Sequence, residues 1–228
     1  MLANKKEFYG GFGLLVGFFV VLFIIFLPVF NGQNGMQYLD DLYNSISKGS
    51  AYYIPKIKEE TDRFVGNTVS ITLETKDEKQ AQQIAMLFTK GGATADVSGA
   101  QLNVSGDLGE ILANCLADAD LMYHNDGAKV SGKYGYDERQ VLYNWWNALK
   151  EADKDLKKQK LFKEANTVTS VVKKTVEASY NYYKIEPQKI SDKLWVVIFS
   201  LVFYVSYTMW YGFAVLFMFE GWGLKLEH

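Results

Sequence analysis

The sequence predicts an α+β membrane protein in which two transmembrane helices flank a mixed domain. Residues 8–30 and 194–219 contain no charged side chain. A helix needs roughly 20 apolar residues to cross a bilayer, so both segments are long enough. Between them the hydrophobic period changes from helical to alternating and back to helical. We therefore expect two transmembrane helices and, between them, an extracytoplasmic α/β head on a helical stalk.

The first apolar segment is interpreted as an uncleaved signal anchor. Residues 1–9 form a cytoplasmic tail that carries Lys5 and Lys6, and residues 10–30 form transmembrane helix 1. The apolar stretch is longer than that of a signal peptide, and no Ala-x-Ala-like cleavage site follows Phe30. Paired lysines before a span favour the cytoplasm for the N-terminus.

The second apolar segment, residues 194–219, is predicted to be transmembrane helix 2. Trp195 lies near one end and Trp222 just beyond the other, as expected for interfacial aromatic residues. Residues 220–228 form a tail whose last three residues, Leu-Glu-His, are typical of a purification-tag remnant. Two spans leave both termini in the cytoplasm and residues 31–190 outside it. We expect a two-pass protein of the cell (inner) membrane with a periplasmic domain.

The middle of the chain alternates between helix and strand patterns. Residues 31–67 show helical spacing and are predicted to be stalk helices. Residues 68–135 are predicted to be the head, with strands at 69–74, 93–98, 101–105 and 128–134 and with helices opened by Asp77 and Asp107. This β-α-β-β-α-β order resembles the ferredoxin-like arrangement, which implies a four-stranded antiparallel sheet.

After the head, residues 136–190 are predicted to return to the membrane as a long helix. Asp137 with Gln140 forms a capping pattern at its start, and no Gly or Pro interrupts residues 138–184. An unbroken helix of that length would be unusual in a domain, and the β-branched run after Asn166 marks a possible break.

The scarce residue types exclude several kinds of site. The chain has one cysteine, Cys115, and two histidines, His124 and the terminal His228, so we expect no zinc, haem or iron–sulfur centre and no cofactor. Asp118, Asp120 and Asp126 do not have the spacing of a calcium loop. No phosphate-binding glycine loop or nucleophile elbow is present, and the net charge is −2. These observations predict a non-enzymatic protein that does not bind nucleic acid.

Two sets of residues are candidates for contacts. Small residues of the first span and polar residues of the second each share a helix face, which favours packing of the two spans against each other or against another chain. This helix-packing set is Gly13, Gly17, Ser200, Tyr204, Tyr207 and Tyr211. Exposed Trp and Tyr are enriched at binding sites, so a second set beside the return helix is a possible partner surface. It consists of Trp146, Tyr180, Tyr182 and Tyr183.

Together these features predict a membrane-anchored protein that presents an extracytoplasmic domain for partner binding or oligomeric assembly. The expected partners are the lipid bilayer and another membrane protein or a second copy of the chain. One alternative is a ligand-sensing subunit that signals through a separate partner. Another rests on layout, because terminal spans around an α/β base and a long helix, with Pro187 before the second span, resemble the polysaccharide chain-length regulators.

Overall fold

The structure of the protein is a computed structural model that describes residues 2–224. The chain divides into two compact units, one formed by the segments before Ser47 and after Glu186 and the other by Ser47–Glu186. Each unit is described by itself. Met1 and residues 225–228, which include the whole predicted tag remnant, lie outside the described residues.

The first unit is built around two helices that are long and apolar enough to span a membrane. They are α1 (Lys5–Ile25) and α10 (Leu194–Trp222). The Asn4 side-chain oxygen caps α1 by accepting hydrogen bonds from the backbone N–H groups of Lys6 and Glu7. Because of this cap, α1 begins five residues before the predicted span. It also ends before Leu27, since the residue that precedes Pro28 disfavours helical geometry.

A third helix, α2 (Gly35–Ser50), starts in the first unit and ends in the second. Asn34 and Gln37 form a reciprocal cap at its start: each side-chain oxygen accepts the other residue's backbone N–H, at 2.9 and 3.0 Å. A 3₁₀ turn, Ile190–Lys193, leads into α10.

The second unit combines a small sheet with seven α-helices, and the stretch predicted as stalk helices, residues 31–67, is divided between the two units. In chain order these elements are α3 (Ile54–Thr61), β1 (Thr68–Glu74), α4 (Glu78–Lys90), β2 (Thr94–Ser98), β3 (Gln101–Asp107), α5 (Leu108–Tyr123), α6 (Gly127–Tyr134), α7 (Glu138–Lys158), α8 (Phe162–Val171) and α9 (Glu177–Tyr182). A 3₁₀ turn (Asp62–Phe64) follows α3, and a π-helical turn (Val172–Val176) joins α8 to α9.

The sheet has three antiparallel strands in the order β1-β3-β2. Ile71 of β1 lies opposite Val104 of β3, and Leu73 lies opposite Leu102. These four side chains and Val69 are all buried in the core. Alternation with period two places them on one side of the sheet, where helices cover them.

The predicted helix starts inside the second unit are confirmed. Asp77, Asp107 and Asp137 precede α4, α5 and α7, and the carboxylate of each accepts the backbone N–H three residues on, at 2.8, 3.1 and 2.9 Å. A carboxylate in this position satisfies an otherwise unpaired donor at the helix N-terminus and interacts favourably with the helix dipole.

The predicted fourth strand, residues 128–134, is wrong, because this segment forms α6. Its buried residues Gly127, Val130 and Tyr134 are spaced by three and four, which is a helical face. Over so short a segment, Val130, Gly132 and Tyr134 also fit strand alternation, so the pattern alone was ambiguous. Gly135, with a φ of +79°, ends the helix in the left-handed conformation that glycine adopts readily.

The sheet edge beside β1, where a fourth ferredoxin-like strand would pair, is met by side chains of α7. The Thr72 N–H donates to Asp155 Oδ2 at 3.1 Å, and Gln159 Nε2 donates to the Ser70 carbonyl at 2.7 Å. Gln159 also donates to Asp155, at 2.8 Å. Two side chains, an amide and a carboxylate, thus make hydrogen bonds that a neighbouring strand would make. They occupy backbone groups of an edge strand that could otherwise pair with another chain.

The predicted long return helix is interrupted at residues 159–161, earlier than the possible break after Asn166. Lys160 has a φ of +64°, and its N–H donates to the Lys157 carbonyl at 3.0 Å. The Leu161 N–H donates to the Leu156 carbonyl at 2.9 Å. This pair of bonds is the Schellman motif, which usually has glycine where Lys160 stands. With lysine in this position, the glycine that would indicate a helix end is absent from the break.

A buried carboxylate connects three helices of the second unit. Asp118 of α5 is fully buried, and its Oδ2 accepts hydrogen bonds from the Tyr134 hydroxyl at 2.5 Å and from Trp145 Nε1 at 2.9 Å. Its Oδ1 pairs with Lys133 Nζ at 2.7 Å. Asn114 accepts from the same ammonium and donates to the Tyr134 hydroxyl at 3.1 Å. Burial, followed by the charge of Asp118, raises the pKa of Tyr134 well above its ordinary value, so this hydroxyl stays a donor.

Replacing this carboxylate should destabilise the second unit strongly. We expect Asp118→Ala to lower the free energy of unfolding by about 3–5 kcal/mol, because three donors lose their acceptor and Lys133 loses its counter-charge. Chemical unfolding of the full chain in detergent, followed by tryptophan fluorescence, measures this difference. Asp96→Ala on exposed β2 is the control and should stay within about 0.5 kcal/mol of the wild type. Equal stabilities of the two variants would contradict a central role for Asp118.

Candidate functional site

An aromatic groove lies between α7 and the helix that runs antiparallel to it, residues 162–182. Its volume is about 340 Å³, within the lower range of ligand pockets. Tyr143, Trp146 and Tyr180 supply the aromatic lining, Leu142 and Val176 lie among them, and Glu177 and Asn181 complete the lining. These seven residues define the aromatic groove.

The ring of Trp146 lies between polar and cationic neighbours. Its Nε1 donates to Glu177 Oε1 at 2.8 Å, and its ring stacks with that of Tyr143 at 6.1 Å between centroids. The ammonium of Lys150 lies 4.0 Å from the centre of the Trp146 ring. Such a cation is attracted by the negative face of the indole. The Trp146 ring is thereby fixed in orientation before any ligand arrives.

The other wall of the groove depends on a π-helical turn. The Glu177 N–H donates to the Val172 carbonyl, five residues earlier, and the Thr175 hydroxyl donates to the Val171 carbonyl. The extra residue in this turn shifts the phase of the helix, so that Val176, Glu177 and Tyr180 face α7. Single π turns occur frequently at functional sites.

The structure brings together two of the four residues predicted as a partner surface. Trp146 and Tyr180 both line the aromatic groove. Tyr183 is buried, and its hydroxyl donates to Glu138 Oε1 at 2.7 Å. Tyr182 packs elsewhere: its ring lies 6.2 Å from that of Tyr123, and its carbonyl accepts from Lys48 Nζ at 3.0 Å. Burial lowers the pKa of Lys48.

Sequence reasoning missed Tyr143, Glu177 and Lys150. Tyr143, Trp146 and Lys150 are spaced by three and four along α7, so they share a face that is distinct from the buried stripe containing Leu142, Trp145 and Leu149. That spacing was a usable signal for Tyr143 and Lys150. No sequence pattern indicated Glu177, because its position in the groove depends on the π turn.

The predicted helix-packing set is partly brought together within the chain. The Tyr207 hydroxyl donates to the Phe18 carbonyl at 2.7 Å, and a Cβ on Gly17 would lie 3.1 Å from the Trp210 ring. Tyr211 approaches the Phe18 ring at 5.2 Å between centroids. The three remaining residues, Gly13, Ser200 and Tyr204, lie outside the α1–α10 contact.

These three residues have other surroundings. A Cβ on Gly13 would have no atom within 4 Å, Ser200 Oγ is 2.6 Å from the Tyr43 hydroxyl of α2, and Tyr204 is 70% exposed. The close approach is instead at Gly11, where a Cβ would lie 2.7 Å from the Ala214 carbonyl oxygen. Residues two apart on a helix point about 200° apart, so Gly11 and Gly13 cannot serve the same contact.

Leucine at Gly11 should therefore separate α1 from α10, whereas leucine at Gly13 should not. The added side chain at Gly11 meets backbone atoms of α10, which cannot move aside. Cysteines at Phe18 and Tyr207, whose rings stack at 4.2 Å, report the contact through bifunctional cross-linking in a Cys115→Ala background. We expect most cross-linking to be lost in Gly11→Leu and retained in Gly13→Leu. The reverse pattern would show that the contact follows the glycine face predicted from sequence.

The Tyr183–Glu138 contact below the groove predicts a pH dependence. Burial, with the hydrogen bond to Glu138, raises the pKa of Tyr183 to about 12, above the value of about 10 expected in the unfolded chain. A raised folded pKa gives stability that is present below pH 10 and is lost as the pH rises toward 12. The thermal midpoint should fall over this window, and less steeply in Tyr183→Phe. A fall of equal steepness in both proteins would contradict this contribution.

No protein-family profile, curated protein or solved structure matches this chain.

Proposed function

We propose that this chain is a membrane-anchored, non-enzymatic binding protein of the cell (inner) membrane. In this proposal α1 and α10 are a two-helix anchor, and residues 47–186 are displayed outside the cytoplasm to bind a partner protein or to build an oligomer. The observation that carries the proposal is the α1–α10 pair. Its helices are apolar, yet their side chains are mostly exposed along the whole length. Apolar helices that are not covered by protein are explained by a lipid surrounding.

Two polar side chains between α1 and α10 have hydrogen-bond partners within the protein, which supports the proposal. The Tyr207 hydroxyl and Trp210 Nε1 donate to the carbonyls of Phe18 and Leu14, at 2.7 and 3.0 Å. Polar groups in hydrocarbon need partners within the protein, and these two donors have them. The pair is antiparallel, since Gly11 meets Ala214 and Gly17 meets Trp210. Antiparallel spans leave both chain ends on one side, and Lys5 and Lys6 favour the cytoplasmic side.

Binding, rather than catalysis, is what the groove supports best. Its carboxylate, Glu177, is engaged by Trp146 Nε1 and therefore does not stand free as a base. The described histidine, His124, ends α5, where its Nδ1 lies 2.9 Å from the Asp120 carbonyl. Rigid aromatic anchors flanked by charge are typical of recognition surfaces.

A ligand-sensing subunit is the second candidate function. The observation that favours it is the size of the groove, because about 340 Å³ also suits a small molecule. Such a subunit would pass its signal to a separate membrane partner.

Labelling with a membrane-impermeant maleimide tests the anchor and its orientation. A cysteine at exposed Lys90, in a Cys115→Ala background, should be labelled in intact spheroplasts. A cysteine at Lys5 is the matched control and should be labelled only after the membrane is opened. Both variants should stay with the membrane fraction after alkaline carbonate washing. Labelling of Lys5→Cys but not Lys90→Cys in spheroplasts, or release by carbonate, would refute the proposed arrangement.

A further inference from the structure

We propose that the aromatic groove binds an acidic segment of the partner protein, which inserts one large apolar side chain between Trp146 and Tyr180. This inference rests on the proposed binding function and gives the chemistry of the partner. It follows from the lining of the groove, from the charges around it and from the surface that continues beyond Tyr143.

The floor of the groove suits an apolar side chain. Leu142 and Val176 lie at the bottom of an opening whose sides carry Trp146 and Tyr180. Tyr143 is 46% exposed and Tyr180 is 37% exposed, so both rings keep a surface that a ligand can cover. Trp and Tyr lose little conformational entropy when they are buried, which makes them effective anchors in an interface.

Charges around the groove are predominantly positive. Arg139 lies at one end, with its guanidinium 5.8 Å from the Tyr180 ring, and Lys150 lies over the Trp146 ring. Among the described residues, neither cation forms a salt bridge. Two acidic residues of the same helices are engaged by other groups: Glu177 accepts a hydrogen bond from Trp146, and Glu138 accepts one from Tyr183.

Lys173 adds a further cation at the Lys150 end. Contacts between the two antiparallel helices join Trp146 to Glu177 and Asp153 to Thr169, the latter at 3.0 Å. Counting along both helices from these two contacts, we infer that Lys150 and Lys173 lie at the same level, and both are exposed. Two cations without an acidic partner repel each other, and an acidic ligand would relieve this repulsion.

Tyr143 also lines a second depression of about 290 Å³, which we call the polar extension. Besides Tyr143 it is lined by Lys76, Asp77, Lys79, Gln80, Gln83 and Gln140. Its two lysines outnumber its one carboxylate, Asp77, which caps α4. A small apolar molecule would occupy only the aromatic half, whereas a peptide would occupy both halves. Length and charge together therefore favour a peptide with acidic residues beside its apolar anchor.

Panning a library of short random peptides, displayed on phage, against the full chain in detergent micelles tests the inference. We expect selected peptides to be enriched in Asp and Glu next to Trp, Phe or Leu. Their affinity, measured by fluorescence polarisation of the synthetic peptides, should weaken as salt is raised, because the charged contacts are exposed. Trp146→Ala should weaken binding about tenfold or more, as loss of an interface hot spot does. Lys150→Glu and Lys173→Glu should each weaken it about threefold or more.

Lys90→Glu is the matched charge control. It makes the same substitution at the far end of α4, ten residues or about 15 Å of helix beyond Gln80, and should leave affinity within about twofold. Tyr180→Phe keeps the aromatic ring and removes only the hydroxyl, so it should weaken binding less than Trp146→Ala does. Peptides without acidic enrichment, equal binding to Trp146→Ala, or no selected peptide at all would each overturn the inference. Maleimide labelling is independent, so failure of the anchor is distinguishable from failure of the groove.

Discussion

The second unit depends on one buried charge. Asp118 is enclosed by α5, α6 and α7, and each of these helices contributes to its environment: α5 carries it, α6 supplies Lys133 and Tyr134, and α7 supplies Trp145. Moving a carboxylate out of water is costly, so it is tolerated only where donors and a counter-charge are in place. The requirement also works in reverse, because Asp118 is satisfied only when α6 and α7 are docked in this register. We therefore expect the buried charge to favour one register over others that apolar packing alone would permit.

Once α7 is fixed in this way, it contributes to the core, to the groove and to the edge of the sheet. Trp145 points inward to Asp118, and Trp146, about 100° around the helix, points outward into the groove. Near its C-terminal end, Asp155 and Gln159 hydrogen-bond the edge of β1. The Schellman motif at Lys160 then turns the chain back, so that α8 and α9 run antiparallel to α7 and supply the second wall of the groove. The groove is therefore a consequence of where α7 docks and where it stops.

Helix starts and strands could be predicted from the sequence, but contacts between residues far apart in the chain could not. Asp77, Asp107 and Asp137 marked helix starts because a cap is a contact over three residues, and Val69, Ile71 and Leu73 marked a strand because period two is visible in a short window. Residues 128–134 satisfied both periods, and only packing of Val130 and Tyr134 against α5 and α7 decides for a helix. Trp146 and Tyr180 were recognised as exposed aromatic residues, but their meeting depends on a break at a lysine and on a π turn, for which no residue type is diagnostic.

In both units, Tyr and Trp side chains that pack between helices donate hydrogen bonds within the protein. The two tyrosine hydroxyls of the groove do not. Between α1 and α10, Tyr207 and Trp210 donate to backbone carbonyls, and in the core Tyr134 and Trp145 donate to Asp118. In the groove, the hydroxyls of Tyr143 and Tyr180 have no hydrogen-bond acceptor among the described residues, and the Asn181 side chain has none either. The groove therefore suits a ligand that brings hydrogen-bond acceptors and negative charge along with its apolar anchor.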